Sequence, residues 1–457
     1  MEFTVWSLVT DLGIVCALLM IAQVLRAKLR ILQASFLPAS IIAGAAGLAL
    51  GPNGVDVLPF SDQISTYPGV LIVLIMAAVP LGFTLRARSM AKRVGAFYSY
   101  SQAGEVFMWA LGLLFGLAVL GQIWDLPDGF GLLLALGWAG GFGTAAAAGS
   151  SFEQRGWAEA TSLGYTAATV GVVVCVVGGL IATKWAAKKR LTRDLAAFDE
   201  LPEEYRTGLV PEGERRSIGT ATLSSSTLES LTLHLGLILV PAGAGYYLNE
   251  WFKDLWPSVS IPLFSLGFLF GLLLQIGLLV TKLSRHVDRP TITTLTGSFS
   301  DVLVAVAITS IVPQVVADNL APLILLFVFG LIYCVVLLRY VTPLFFSDHW
   351  FERGIFTWGW MTGSVPTGIA LLRIVDSRHK SNTLGDFGIA YLGVAPAEII
   401  LITVVPIAVA SGFAWGVVGV TLAFGVLTVL VARLLGWWSV PVGQDETAEV
   451  DEHAERG

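Results

Sequence analysis

Apolar runs about as long as a bilayer is thick recur along almost the whole of this 457-residue chain, and that feature decides what it can fold into. A helix needs about 20 residues to cross roughly 30 Å of hydrocarbon. Only 13% of the residues are charged and 55% are hydrophobic, with a mean hydropathy of +0.77, whereas a soluble domain carries about a quarter charged residues. No soluble fold could bury so much apolar surface, so the chain reads as an all-α polytopic membrane protein. The first run, 5–25, has no basic leader and no small-residue cleavage site and reads as a retained span. Cys16, Cys175 and Cys334 lie singly inside apolar runs without metal-site spacing and read as packing residues.

Thirteen apolar windows are found, at 5–25, 32–51, 68–85, 94–120, 130–150, 160–183, 231–248, 259–282, 290–313, 318–345, 354–374, 388–408 and 411–436. A hydrophilic linker at 184–230 holds Lys188, Lys189, Arg190, Arg193, Arg215 and Arg216 beside Glu200, Glu203 and Glu204, and an acidic tail at 444–457 closes the chain. The windows at 130–150 and 354–374 are broken by Gly140-Gly141-Phe142-Gly143-Thr144 and by Thr362-Gly363-Ser364-Val365-Pro366-Thr367-Gly368. If both cross fully, the 27 Lys and Arg divide 14 to 13 between the two sides. If both turn back to the side they entered from, the division is 25 to 2, with only Arg155 and Lys253 outside. The positive-inside rule selects the second arrangement: two re-entrant hairpins, eleven spanning helices, the N-terminus outside, and the linker and C-terminus cytoplasmic.

Residues 1–183 then read helix, helix, helix, helix, hairpin, helix, and 231–408 read the same. Five spans is an odd number, so the copies are inverted, as in secondary transporters whose site lies where broken helices meet. The segment 409–457 adds one helix and the tail. Irregular backbone is tolerated at membrane depth only where it is buried or lines a wet cavity. There, helix N-termini suit an anion, while free carbonyls and the hydroxyls of Thr144, Ser364 and Thr367 suit a hard cation. Gly140, Gly141, Gly143 and Gly363 permit close approach, and Pro366 interrupts hydrogen bonding.

At these hairpins the sequence resembles the glutamate:sodium symporter family of bacterial inner membranes. Gly140-Gly141-Phe142-Gly143-Thr144-Ala145-Ala146 is similar to the family's glycine-glycine-histidine-glycine-threonine hairpin, followed by Gly156-Trp157-Ala158-Glu159-Ala160-Thr161, Ala168-Thr169-Val170-Gly171 and Gly178-Gly179-Leu180. Gly363-Ser364-Val365-Pro366-Thr367-Gly368-Ile369-Ala370 resembles its second hairpin. Weaker likeness covers about 5–408. The resemblance implies Na⁺-coupled uptake of a dicarboxylic amino acid by a homodimer in the cell inner membrane. A moving core would carry both hairpins against a static scaffold, with Na⁺ as coupling ion, no further cofactor and no nucleic-acid partner. Phe142 stands where the family has histidine, and Met108 and Trp109 where it tends to place amides. Another small organic anion, driven by Na⁺ or H⁺, is compatible with those departures.

Ionisable residues inside spans are costly and usually functional. Glu398, where the family tends to place a carboxylate, is a candidate for cation coupling or substrate orientation. Asp301 stands evenly between a cation site and a packing carboxylate. Glu105, one turn from Gln102 on the same face, reads as a cross-helix hydrogen-bonding group in the scaffold, and Asp11 as a solvated or capping group. Arg373 could pair bidentately with a substrate carboxylate or anchor topology beside Arg378 and Lys380. His234 reads as a hydrogen-bonded packing residue, Trp256 and Trp350 as interface anchors, and Gly112/Gly116 and Gly267/Gly271 as close helix contacts. A channel, a sensor and a membrane enzyme are the rival classes. Opposed hairpins within one chain favour alternating access over a pore, no soluble signalling domain is attached, and no HExxH, GxSxG or paired-aspartate motif is found.

Overall fold

The computed structural model describes residues 4–34, 37–82, 92–189, 191, 203–215, 217–255, 263–376 and 380–438, and among them every regular element is a helix. Arg86, Arg88, Arg190, Arg193, Glu200, Arg216, Trp256, Arg378 and the tail at 444–457 lie outside the described residues. The main helices are α1 (Val5–Lys28), α2 (Ala39–Leu50), α3 (Tyr67–Ala78), α4 (Lys92–Phe115), α5 (Gly141–Glu153), α6 (Ala160–Lys188) and α7 (Ser230–Leu255). They continue with α8 (Leu263–Val280), α9 (Arg289–Thr309), α10 (Leu320–Val336), α11 (Trp350–Thr362), α12 (Val365–Val375), α13 (Thr383–Ala410) and α14 (Ala414–Leu434).

Nine of these are long and apolar enough to cross a membrane: α1, α4, α6, α7, α8, α9, α10, α13 and α14. α4 runs on through a π-turn to Ile123, and α10 likewise to Phe345. The windows at 32–51 and 68–85, expected as full spans, form helices of only 12 residues, about 18 Å at 1.5 Å per residue. Proline and glycine set their limits. Pro38 precedes α2, a turn through Gly51, Pro52, Asn53 and Gly54 follows it, and a turn containing Pro80 follows α3.

The helices sort into two bundles that abut. α1, α2 and α3 pack with α7, α8 and α9, while α4, α6 and α10 to α13 pack around the short helices, with α14 laid along α4. The glycine pairs do what their spacing suggests. A methyl group on Gly271 would collide with the Ala77 carbonyl of α3, and one on Gly267 would lie 3.1 Å from Val73 O. In the second bundle, methyls on Gly112 and Gly116 would lie 2.8 Å from Gly131 O and 2.7 Å from Gly131 Cα. Cys175 and Cys334 are buried as expected, but Cys16 is exposed on α1.

Asp11 departs from expectation. It is 1% exposed and accepts three hydrogen bonds, from Ser61 N at 2.9 Å, Ser61 Oγ at 2.5 Å and Tyr67 Oη at 2.6 Å. It ties α1 to the loop that leads into α3. His234 is fully buried, pairing through Nδ1 with Ser230 O at 2.6 Å and accepting the Asp288 amide on Nε2 at 2.8 Å. Because loss of the Asp11 carboxylate strands Ser61 and Tyr67, Asp11→Ala is expected to destabilise the folded protein by about 3 kcal/mol. Thermal or denaturant unfolding in detergent, read against Asp11→Asn, measures it.

Candidate functional site

Between α4 and α6 the chain does not wind into one straight helix. A 3₁₀ turn at Phe130–Leu132 leads to a π-turn at Ala135–Ala139, where the Gly140 N–H donates to Ala135 O at 3.0 Å, and there the helix breaks. Gly141 takes φ +68°, a left-handed backbone that disfavours any side chain, and opens α5. No side-chain cap closes that end, so its first N–H groups lack the partner a cap supplies.

The second break is built differently. α11 ends where Gly363 N and Ser364 N both donate to Gly359 O, at 3.0 and 3.1 Å. α12 then starts with a reciprocal cap. Thr367 N donates to Ser364 Oγ at 3.4 Å, and Ser364 N donates to Thr367 Oγ1 at 2.9 Å. Pro366 sits in the first turn of α12, where its missing N–H costs no helical bond. α11 and α12, at 13 and 11 residues, are each shorter than the ~20 residues a span needs. They fold against one another so closely that a methyl on Gly359 would lie 2.5 Å from Gly368 Cα.

The two breaks meet. A methyl on Gly141 would rest 3.6 Å from Gly363 O, so the turns face each other at ordinary contact distance. α6 passes directly behind both. A methyl on Gly171 would lie 2.6 Å from Thr362 O and 2.8 Å from Trp138 Cδ1, and one on Gly179 2.5 Å from Leu371 Cδ1. Trp358 Nε1 donates to Cys175 O at 3.2 Å, fastening α11 to α6. The glycines of α6 therefore have a mechanical reason: they let one helix back two broken ones.

Of the residues singled out in the sequence, Gly141 and Gly363 meet at this crossing, with Gly140 and Ser364 next to them in the chain, while a methyl on Gly143 would lie 2.9 Å from Ile72 Cδ1 of α3. Phe142 is buried, its ring centroid 6.5 Å from that of Tyr165 on α6. Thr144 is buried over Gly140, and Thr367 spends its hydroxyl on the cap. Arg373 lies in the last turn of α12, about 14 Å along the axis from Ser364, and so at the end away from the turn. Asp301 is exposed on α9 with Ser40 of α2 beside it, in the other bundle.

Glu398 is half-buried on α13 and accepts the Tyr391 hydroxyl at 2.8 Å. Tyr391 in turn packs edge-on against Trp360 of α11, with centroids 6.0 Å apart. Opposite Glu398 stands Glu105, 2% exposed. Among the described residues the expected cross-helix hydrogen bonds of Glu105 and Gln102 are not found: Glu105 Oε2 and both amide atoms of Gln102 are buried with no partner there. The signal was present in the spacing of Gln102, Glu105 and Trp109 along one face of α4. Carboxylate, amide and phenol oxygens of this kind suit a hard cation such as Na⁺. Among the described residues no three His, Cys, Asp or Glu side chains gather as a transition-metal site would require.

The window at 354–374 begins one residue too late to include Arg353, which is fully buried. Its Nη2 donates to Asp386 Oδ2 at 2.6 Å, Arg93 Nε donates to Asp386 Oδ1 at 2.8 Å, and the Arg353 guanidinium lies 4.7 Å from the Phe346 ring centroid. One carboxylate thus joins the first turns of α4, α11 and α13.

The family model for sodium/glutamate symporters matches residues 5–380, more than four-fifths of the chain. The chain belongs to that family. It is accordingly a multi-pass membrane protein of a transporter family, and both interrupted helices, α6 and Glu105 fall inside the matched region. The match stops short of the 408 expected, leaving the whole of α13, with Glu398, and α14 beyond it. No curated protein matches the chain. Within this family member the Thr367 hydroxyl holds a helix end, so Thr367→Val is expected to lower stability by about 1 kcal/mol. Thr367→Ser should keep most of it, and unfolding midpoints of the two variants decide the point.

Proposed function

We propose that the protein imports glutamate or a related carboxylate anion, coupled to Na⁺, by alternating access. The observation that carries this reading is the contact of the two breaks, Gly141 against Gly363 O with α6 behind them. Two interrupted helices that meet inside one chain are the arrangement in which transporters seat substrate and ion. In this reading both breaks are tips of re-entrant hairpins at about 130–150 and 354–374, carried by inverted repeats 1–183 and 231–408. The N-terminus lies outside, the linker and tail are cytoplasmic, and the protein is a homodimer of the inner membrane.

The uncapped start of α5 would take the anionic group, since unpaired N–H groups and the positive end of the helix dipole both favour negative charge. Thr144, one turn into α5, would line that end. Cation coupling is assigned to Glu398, with Glu105 and Gln102 supplying further oxygens. Two facing carboxyl groups at membrane depth are accommodated by a proton or by a cation between them, and the Gln102 amide and Tyr391 phenol oxygens beside them suit a cation.

Uptake of labelled L-glutamate into proteoliposomes under an inward Na⁺ gradient, compared with K⁺, tests the reading. Na⁺-dependent accumulation that unlabelled L-glutamate suppresses is expected, and no accumulation by folded protein would refute glutamate as substrate. A screen of competitor anions and an H⁺ gradient would then follow. Thr144→Ala is expected to raise the KM for substrate about ten-fold, the weight of one hydrogen bond to a charged group. Glu398→Gln should abolish the difference between Na⁺ and K⁺, and Glu105→Gln should raise the Na⁺ concentration for half-maximal uptake by about ten-fold. Unchanged Na⁺ dependence in both would remove this pair from coupling.

A further inference from the structure

A groove of about 690 Å³ runs between α6 and α10, away from the meeting of the two breaks. One wall is the stripe Val173, Val177, Ile181 and Trp185 of α6, and the other is Leu331, Val335 and Leu338 of α10. Its floor is Trp358 of α11, which reaches α6 at Gly178 because no side chain stands there. The stripe from Val173 to Trp185 spans about 18 Å, more than half the thickness of the hydrocarbon core. The side chains on the rim are well exposed, Val177 at 53% and Ile181 at 63%.

The groove is apolar along its length and charged at one end. Arg339 sits there, within the π-turn that ends α10, and it is the one charged side chain of the span Leu320–Phe345. Its guanidinium lies 5.6 Å from the Trp185 ring centroid and 5.5 Å from that of Tyr340. Among the described residues no carboxylate pairs with it. Lys184 and Lys188, both exposed, stand at the same end of α6. An arginine flanked by tryptophan and tyrosine at the end of a spanning helix sits at the depth of lipid headgroups. There an unpaired cation is matched by phosphate, which the planar guanidinium can grip with two parallel hydrogen bonds.

We propose that this groove is a binding site for an anionic phospholipid, its acyl chain lying along Val173 to Trp185 and its phosphate held by Arg339. The basic end selects an anionic lipid, because bulk neutral acyl chains would gain nothing from Arg339 and the two lysines. The lipid would touch Trp358, and through it α11, so its occupancy bears directly on one of the two interrupted helices.

The test uses purified, delipidated full-length protein in neutral detergent. Phosphatidylglycerol and phosphatidylcholine with the same palmitoyl and oleoyl chains are titrated in turn, and bound lipid is counted by native mass spectrometry while the unfolding midpoint is followed. The expected result is one phosphatidylglycerol retained per chain, a raised midpoint, and weaker binding of phosphatidylcholine. Arg339→Gln should reduce that preference about five-fold, the weight of one basic residue against an anionic membrane surface, while Arg339→Lys keeps most of it. Val177→Trp, which fills the groove and leaves Arg339 in place, should reduce retention of both lipids. Equal binding of the two lipids by wild-type protein would overturn the proposal, as would stabilisation by soluble glycerol 3-phosphate alone. So would a groove that stays lipid-free while Val177→Trp converts an oligomer to monomers, since a second copy would then be the occupant. Glutamate uptake is not the readout, so failure here and failure of the transport reading are separable.

Discussion

The structure depends on one constraint: in hydrocarbon every backbone N–H and C=O must find its partner within the protein. Among the described residues, most of the nine long helices meet it by their own i→i−4 bonds, with Pro241 in α7 and Pro396 and Pro406 in α13 as interruptions. Two interrupted helices do not, and the rest of the second bundle is arranged to make them tolerable. α6 presents Gly171 to the Thr362 carbonyl and to Trp138, so that both breaks are sealed by packing from behind. α4 does the same for the approach to the first break, through Gly112 and Gly116 against the backbone of Gly131. With any side chain at these positions the helices would stand apart, and the broken backbone would face lipid.

Buried charge is settled by the same logic, with unequal results. Asp11 receives three hydrogen bonds, and Asp386 receives two arginines, one of them covered by the faces of Phe346 and Phe97. Those groups are compensated where they stand and serve to hold elements together. Glu105 is not compensated. It faces Glu398 with one oxygen unpartnered, beside a glutamine amide unpartnered at both ends. On the transport reading proposed above, these unpartnered oxygens are where a coupling ion would be held.

Much of this was legible in the sequence because the signals were long or local. Helical class followed from apolar runs repeated over hundreds of residues, and the two breaks from Gly140-Gly141-Phe142-Gly143-Thr144 and Gly363-Ser364-Val365-Pro366-Thr367, where glycine and proline leave little choice of backbone. The lengths of α2 and α3 were not legible, since a hydropathy window extends over a flanking apolar residue whether or not the helix does. Asp11 was misjudged for a related reason. Position near a span end suggests solvent, but Ser61 and Tyr67, some fifty residues away, close over it. The pairing of Glu105 with Glu398 joins residues almost three hundred apart, and no periodicity along one helix can announce the face of another. Arg353 fell just outside the window that framed its helix.

The two breaks also differ in a way that bears on how they divide their labour. α12 closes its own N-terminus, since Ser364 and Thr367 satisfy each other's backbone amides. That end carries its own side-chain cap. α5 begins on a left-handed glycine with no cap, so its amides remain available beside the Gly363 carbonyl of the other turn. Donors therefore come from the first break and an acceptor from the second. On the transport reading proposed above, an anionic group would settle against α5, and an ammonium or a cation against the carbonyl of Gly363. A zwitterionic amino acid presents both charges a few ångströms apart. That is a reason to try one before a simple dicarboxylate, even though Phe142 offers no hydrogen bond of its own.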